Sequence, residues 1–215
     1  MTKAVVFDLG GTLMEYVGMP LNWEEYYDTG IRNVAVLNEL NLSEEEILAS
    51  VKVLKDYNPR NSGREYEVAP ENIFSDVMTC WKVRPGIEKA IDDFFSGMAL
   101  EARVFDYAEA VIRDCKNKDL YVACLTDLPN GMPDKMFRST IAEIEPLFDL
   151  YVSSQTCGFR KPNKNGIEYI AEQFGIDVFE VLFVGDEKKD EETARNAGCR
   201  FEYIDEYLKD NVAFK

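Results

Sequence analysis

Histidine is absent from the 215 residues. The commonest general base and the commonest metal ligand are therefore missing, so any chemistry must rest on carboxylates, lysine, threonine or serine. Positive charge is also scarce. The chain has 24 Lys and Arg against 40 Asp and Glu, a formal net charge of −16. Such a chain repels a polyphosphate backbone, which argues against nucleic acid as a partner, and its charge serves solubility. The five cysteines (Cys80, Cys115, Cys124, Cys157, Cys199) contain no CxxC pair and read as reduced, mostly buried thiols. No apolar run nears the length of a membrane span, so no membrane association is expected. The opening MTKAVVFD runs straight into a strand pattern rather than a charged-then-apolar leader, so a cytoplasmic protein is expected.

What is present suits a sizeable core. Hydrophobic residues make up 46% of the chain and aromatics 12%, enough for one or two compact domains. Residues 3–8 (KAVVFD) read as a short buried strand, and 9–20 as a Gly-rich excursion ending at Pro20. From there to about 100 the pattern is helical, with no strand pattern interrupting it. Trp23, Tyr26, Tyr27, Ile31, Val34 and Leu37 recur at helical spacing, and Ser43 with Glu46 forms a capping box. Helical segments resume near 70–81 and 86–99.

Beyond residue 105 the pattern alternates. Helices are predicted over 106–117, 132–145, 163–174 and 187–197. Strands are predicted over 119–125, 148–152, 180–184 and 200–204. This alternation implies parallel strands with right-handed crossovers, hence an α/β, Rossmann-like doubly wound sheet. The all-helical block reads as a cap inserted after the first strand. The expected division is 1–15 and 101–215 for the core and 16–100 for the cap.

Ligands in such sheets bind outside the carboxyl ends of the strands. The residues found there are Asp8, Thr126, the 153–161 loop with Lys161, and Gly185-Asp186. Each has an ordinary structural reading when taken singly: a turn-capping Asp, a backbone-bonding Thr, a solvated loop Lys, an acidic helix start. Coincidence is a poor account of all four, each at a strand end.

In this order the residues resemble the haloacid dehalogenase (HAD) superfamily, and are most similar to its phosphatase-like subgroup with a helical C1-type cap. The resemblance rests on FDLGGTL (7–13), CLTD (124–127), FRKPN (159–163) and FVGDEKKDEETARNAG (183–198), and it spans essentially the whole chain. It implies a Mg²⁺-dependent phosphohydrolase acting on a small phosphorylated metabolite. Asp8 would be the nucleophile, forming an aspartyl-phosphate. Asp8, Asp186 and the main-chain carbonyl of Gly10 would hold Mg²⁺, an ion that prefers hard oxygen ligands. Asp190 would be an acidic partner of that site. Thr126 and Lys161 would hold the phosphoryl oxygens, with Lys161 offsetting the clustered carboxylates.

Gly10 departs from the family pattern. Phosphatases of the superfamily usually carry a second Asp there, which protonates the leaving alcohol and later activates water. Help of that kind is worth ~10²–10⁴-fold. A slow enzyme, or one using another acid such as Glu15 or a cap residue, is one reading. A protein that only binds metal and phosphate is another. A phosphonatase-like C–P hydrolase would need a cap lysine, for which Lys52, Lys55, Lys82 and Lys89 are the candidates. Asp127 and Glu187 replace the commoner Asn and Ser and add negative charge. In the cap, the aromatics Trp23, Tyr26, Tyr27, Tyr57, Tyr66 and Trp81 are expected mostly in its core, and Arg60, Arg64 and Arg84 mostly at a solvated surface. Residues 128–133 (LPNGMP) read as a rigid loop.

Overall fold

Seven strands and eleven helices follow one another in the computed structural model, which describes residues 1–211. Residues 212–215, part of the expected core range, lie outside the described residues. The strands are β1 (Ala4–Phe7), β2 (Met14–Tyr16), β3 (Ala102–Val104), β4 (Tyr121–Thr126), β5 (Leu150–Ser153), β6 (Val181–Gly185) and β7 (Arg200–Tyr203). The helices are α1 (Tyr27–Leu37), α2 (Glu44–Tyr57), α3 (Pro59–Ser62), α4 (Pro70–Val77), α5 (Ile87–Ser96), α6 (Ala108–Asn117), α7 (Asp134–Ser139), α8 (Ser154–Cys157), α9 (Asn165–Phe174), α10 (Lys188–Ala197) and α11 (Ile204–Asn211). No described helix is long and apolar enough to cross a membrane.

Five strands form one sheet in the order β5-β4-β1-β6-β7, and every neighbouring pair is parallel. Side chains alternate faces along a strand. Val5 and Phe7 accordingly join one buried cluster with Val122, Cys124 and Val184, and Ala4 and Val6 join another with Ala123, Leu125 and Phe183. Both faces are covered, which explains the near-continuous apolar runs of these strands. In the sheet β1 is flanked by β4, which leads on to β5, on one side and by β6, which leads on to β7, on the other. The strand order therefore reverses around β1, and the crevice for ligands opens at its carboxyl end.

The helices α1 to α5 lie between β2 and β3. These two strands pair antiparallel, Met14 with Val104 and Tyr16 with Ala102. The ribbon is extended by Val17 N–H to the Glu101 carbonyl and Phe105 N–H to the Leu13 carbonyl. The chain thus enters and leaves the helical insert along one two-stranded ribbon, where the sequence suggests only a Gly-rich excursion. Three-residue strands are too short for a period-2 pattern to register. Within the insert, Ser43 and Glu46 make the capping box that starts α2. Trp81 and Tyr27 are buried there, whereas Tyr66 is exposed.

The helix expected over 132–145 is shorter. It stops at Ser139, where the Ser139 and Thr140 hydroxyls donate back to the Met136 and Phe137 carbonyls, each at 2.6 Å. Such local bonds compete with helix continuation. A separate 3₁₀ turn follows at Glu145–Leu147.

Candidate active site

Asp8 follows β1 directly, and its N–H donates to the Val184 carbonyl (2.8 Å), which fixes the backbone at the sheet's rim. Thr126 ends β4 and Asp186 follows β6. Lys161, on the loop before α9, reaches the same point. Its Nζ lies 2.7 Å from Asp8 Oδ1 and 2.6 Å from Asp190 Oδ1. Asp8, Thr126, Lys161 and Asp190 are all buried. Asp8, Asp186 and Asp190 each place a carboxylate oxygen within 4.8 Å of the others. The Thr12 hydroxyl donates to Asp186 Oδ1 at 3.2 Å. Residues from four sequence regions thus converge where the strand order reverses.

Local geometry explains the glycines here. Gly11 sits at φ +83°, and a Cβ on it would fall 2.2 Å from Asp186 Oδ2. Only glycine allows both that backbone and that approach. Gly10 is different: a Cβ there would meet nothing within 4 Å. Nothing steric demands glycine at the position that lacks the expected carboxylate.

Four carboxylates (Asp8, Asp127, Asp186, Asp190) share this floor with two ammonium groups (Lys161, Lys189). Burial pushes Asp8 up to about 8; Lys161 and Lys189 oppose this, while Asp190 and Asp186 add to it. Asp186 is likewise raised, by burial and then by Asp190 and Glu187. For Lys161, burial favours the neutral amine, but Asp190, Asp8 and Asp127 outweigh it and hold the ammonium on. Fully ionised, the four carboxylates would outnumber the two ammonium groups by two, and the upward pull on Asp8 and Asp186 shows the cost of that crowding. Clustered hard oxygen donors whose ionisation is opposed by their neighbours are the donor chemistry a small divalent cation suits.

Two acidic departures from the family pattern are neutralised locally. Asp127 accepts from Lys161 N–H (3.0 Å) and lies 3.5 Å from Lys189 Nζ. Despite burial, Lys189, Arg160 and Lys161 hold it down at about 2. Glu187 pairs with Arg60 of α3, Nη2 to Oε1 at 2.8 Å and Nη1 to Oε2 at 3.2 Å.

Above the floor lies a cavity of about 550 Å³. The core lines it with Asp8, Gly10, Thr126 and Lys161, and the helical insert with Trp23, Tyr27, Arg60 and Arg64. Glu15 also lines it and pairs with Arg103. Arg60 is exposed, as the sequence suggests, though it faces the cavity; the Arg64 side chain is not a solvated surface group, contrary to the sequence expectation. Arg64 is buried against Glu67, whereas Arg84 is exposed and bonds the Thr79 carbonyl. Lys52, Lys55, Lys82 and Lys89 are all exposed and outside the cavity lining. From the 128–133 loop, Asn130 bonds Arg64 and the Leu54 carbonyl. Lys189, Arg160 and Asn130 lie in segments the sequence singles out, but their pairings, like that of Glu67, are not legible there, because their partners are distant along the chain.

Comparison with known proteins agrees with this geometry. A family model described as haloacid dehalogenase-like hydrolase matches residues 2–198. A phosphoglycolate phosphatase from Thiobacillus denitrificans is 29% identical over 102 residues, 47% of this chain and 44% of that protein, so the match spans under half of that relative's length. A phosphoglycolate phosphatase from Haemophilus influenzae is 24% identical over 197 residues, covering 92% of this chain and 83% of that protein. CbbY from Rhodobacter sphaeroides, solved in complex with phosphate, shares the fold with a TM-score of 0.56 at 15% identity, covering 94% of this chain and 86% of that one. With a family match over nearly its whole length and Asp8, Thr126, Lys161 and Asp186 gathered at one rim of the sheet, the chain belongs to the haloacid dehalogenase-like hydrolase family.

Proposed function

We propose that the protein is a Mg²⁺-dependent phosphohydrolase acting on a small phosphate ester through Asp8. The observation that carries this reading is the placement of Asp8 at the base of a substrate-sized cavity, against Lys161 and within reach of Asp186 and Asp190. The phosphatase names of two relatives support the reaction class.

In this reading the Asp8 carboxylate attacks phosphorus. An Asp8 O–P bond forms, and the ester P–O bond breaks. Lys161 and Thr126 hold the phosphoryl oxygens, and Lys161 keeps Asp190 from repelling the incoming anion. Asp8, Asp186 and the Gly10 main chain would hold the Mg²⁺, which neutralises charge on the phosphoryl oxygens when bound. Water then cleaves the aspartyl-phosphate and frees Asp8. Position 10 supplies no acid for the leaving alcohol and no base for that water; Glu15, the carboxylate lining the cavity nearby, is the candidate substitute. Residues 16–100 act as a cap that closes the cavity and selects the substrate. We also read the protein as cytoplasmic, with all five cysteines free.

The open space at Gly10 favours a second reading, a protein that binds metal and phosphate without turnover. Mg²⁺-dependent phosphate release from an activated aryl phosphate separates the two, because a good leaving group needs little acid help. Turnover by wild type and none by Asp8→Asn supports the phosphohydrolase. An inert wild type alongside an active Gly10→Asp variant would replace it with the binder.

A further inference from the structure

The cavity wall that leads away from Gly10 is apolar. Gly10 bridges to Met14, and Gly11 N–H donates to the Met14 carbonyl at 2.7 Å, so β2 begins beside the position that lacks an acid. Residues two apart on a strand share a face, and Met14 and Tyr16 both line the cavity. The Tyr16 ring meets Trp23 edge-on with centroids 5.0 Å apart, and lies 6.4 Å from the Phe137 ring. Tyr16 and Trp23 are only half-buried, which leaves aromatic surface open to the cavity. At about 550 Å³ the cavity extends well beyond what a phosphoryl group fills.

The polar groups that the insert adds are committed to protein partners. Asn58 Nδ2 donates to Asn22 Oδ1 at 2.7 Å, and Asn58 Oδ1 accepts from Arg60 N–H. The Arg60 guanidinium is bonded to Glu187, and that of Arg64 to the Tyr57 and Tyr66 carbonyls, Glu67 and Asn130. A polyhydroxylated leaving group would need such groups free, because buried hydroxyls without partners are costly. The floor points the same way. Position 10 has no side chain to protonate the departing oxygen. An aliphatic alkoxide is about as basic as hydroxide and needs that proton. A phenol ionises at about 10, so a phenolate departs without it.

We propose that Met14, Tyr16, Trp23 and Phe137 form the subsite for an aromatic ring carried on the ester oxygen, so that the ester split at Asp8 is an aryl phosphate. The inference rests on the phosphohydrolase reading above and names its substrate class. The Asp8 O–P bond forms as the aryl O–P bond breaks. The phenolate leaves with the bonding pair and takes its proton from water. A second water cleaves the aspartyl-phosphate, so phenol and inorganic phosphate are released and one water is consumed in all. Glu15 is then left only the water of the second step.

Two measurements test this. Calorimetric binding to Asp8→Asn in Mg²⁺ reads the wall, since Asn keeps an oxygen at the floor but forms no phosphoryl ester. Phenyl phosphate is expected to bind roughly tenfold or more tightly than ethyl phosphate. Trp23→Ala should remove that preference while inorganic phosphate, which reaches only the floor, binds as before. Should Trp23→Ala fail to fold, Met19→Ser, at another half-buried lining residue, should narrow the preference. Turnover by wild type reads the leaving group: phenyl phosphate should exceed benzyl phosphate in kcat by about 10²-fold or more. Equal binding of phenyl and ethyl phosphate would overturn the aromatic subsite and leave the phosphohydrolase reading standing. Equal turnover of benzyl and phenyl phosphate would show that the site supplies a proton, and would overturn the aryl ester. A higher kcat/KM for uridine monophosphate than for phenyl phosphate would replace it with a nucleotide. No turnover of any of these esters would overturn both readings at once.

Discussion

Arg60 and Glu187 are joined by two parallel N–H to carboxylate bonds, so the short helix α3 of the insert is tied to the residue directly after Asp186. Position of the insert and geometry of the acidic floor are therefore coupled. The pair is about one-third and one-fifth exposed, so its worth to global stability is about 1 kcal/mol or less. Arg60→Met is expected to shift the urea midpoint little while speeding amide exchange in Pro59–Gly63. High salt should produce the same exchange in wild type. Unchanged exchange in the variant would show that the pair does not hold the insert in place.

At Gly10 and Gly11 the structure predicts opposite outcomes for neighbouring substitutions. Gly10→Asp meets no obstacle. It should fold normally and raise turnover of unactivated alkyl phosphates by about 10²-fold, the low end of general acid–base help. Gly11→Ala drives a methyl group into Asp186 and forces an L residue to φ +83°. It should lose the Mg²⁺-induced rise in melting temperature. A Gly11→Ala protein that still gains stability from Mg²⁺ would mean that Asp186 does not hold the ion.

Lys161 is the only described cation paired with Asp8 and Asp190. Lys161→Met leaves those carboxylates buried without their counter-charge. The expected loss is about 3–5 kcal/mol in metal-free buffer. Mg²⁺ should restore part of it, because a divalent cation answers the same surplus. Urea unfolding with EDTA and with Mg²⁺ measures both quantities. A loss under about 1 kcal/mol would indicate that the cluster relieves its charge by protonation instead.

Asp127 titrates near 2 in the fold, below its ordinary value of 3.8. A depressed carboxylate contributes stability above its unfolded pKa and loses it as pH falls through the folded one. The contribution is about 2 kcal/mol at neutral pH. Asp127→Asn should cost about that much at pH 7, and the gap to wild type should narrow between pH 4 and 2. Unfolding curves in EDTA at several pH values test this; a gap independent of pH would remove the ion pair with Lys189 from the account.

The legible parts of the fold were those written in local pattern. Buried strands such as AVVF at 4–7 and VLFVG at 181–185 are continuous apolar runs, and each is followed at once by the acidic residue that the sheet then aims into one crevice. Order along the chain sufficed to nominate Asp8, Thr126, Lys161 and Asp186, because a parallel sheet sends all its carboxyl ends the same way. The β2–β3 ribbon was not legible, since its partners stand 88 residues apart, Glu15 with Arg103, and three residues carry no period.

Charge on its own was misleading about Arg64, though not about the exposed Arg60. As an isolated arginine in a polar segment Arg64 reads as solvated, Glu67 showed nothing at all, and Arg160 stood inside a quoted motif without a role. Their pairing depends on the insert folding back over the core, a long-range event that no sequence window contains. The gathering of Asp8, Thr126, Lys161 and Asp186 at one rim, and the missing carboxylate at Gly10, follow from sequence because strand ends and tight turns are local. The charged lining that the insert brings to the cavity depends on which distant side chains meet there, and only three-dimensional packing settles that.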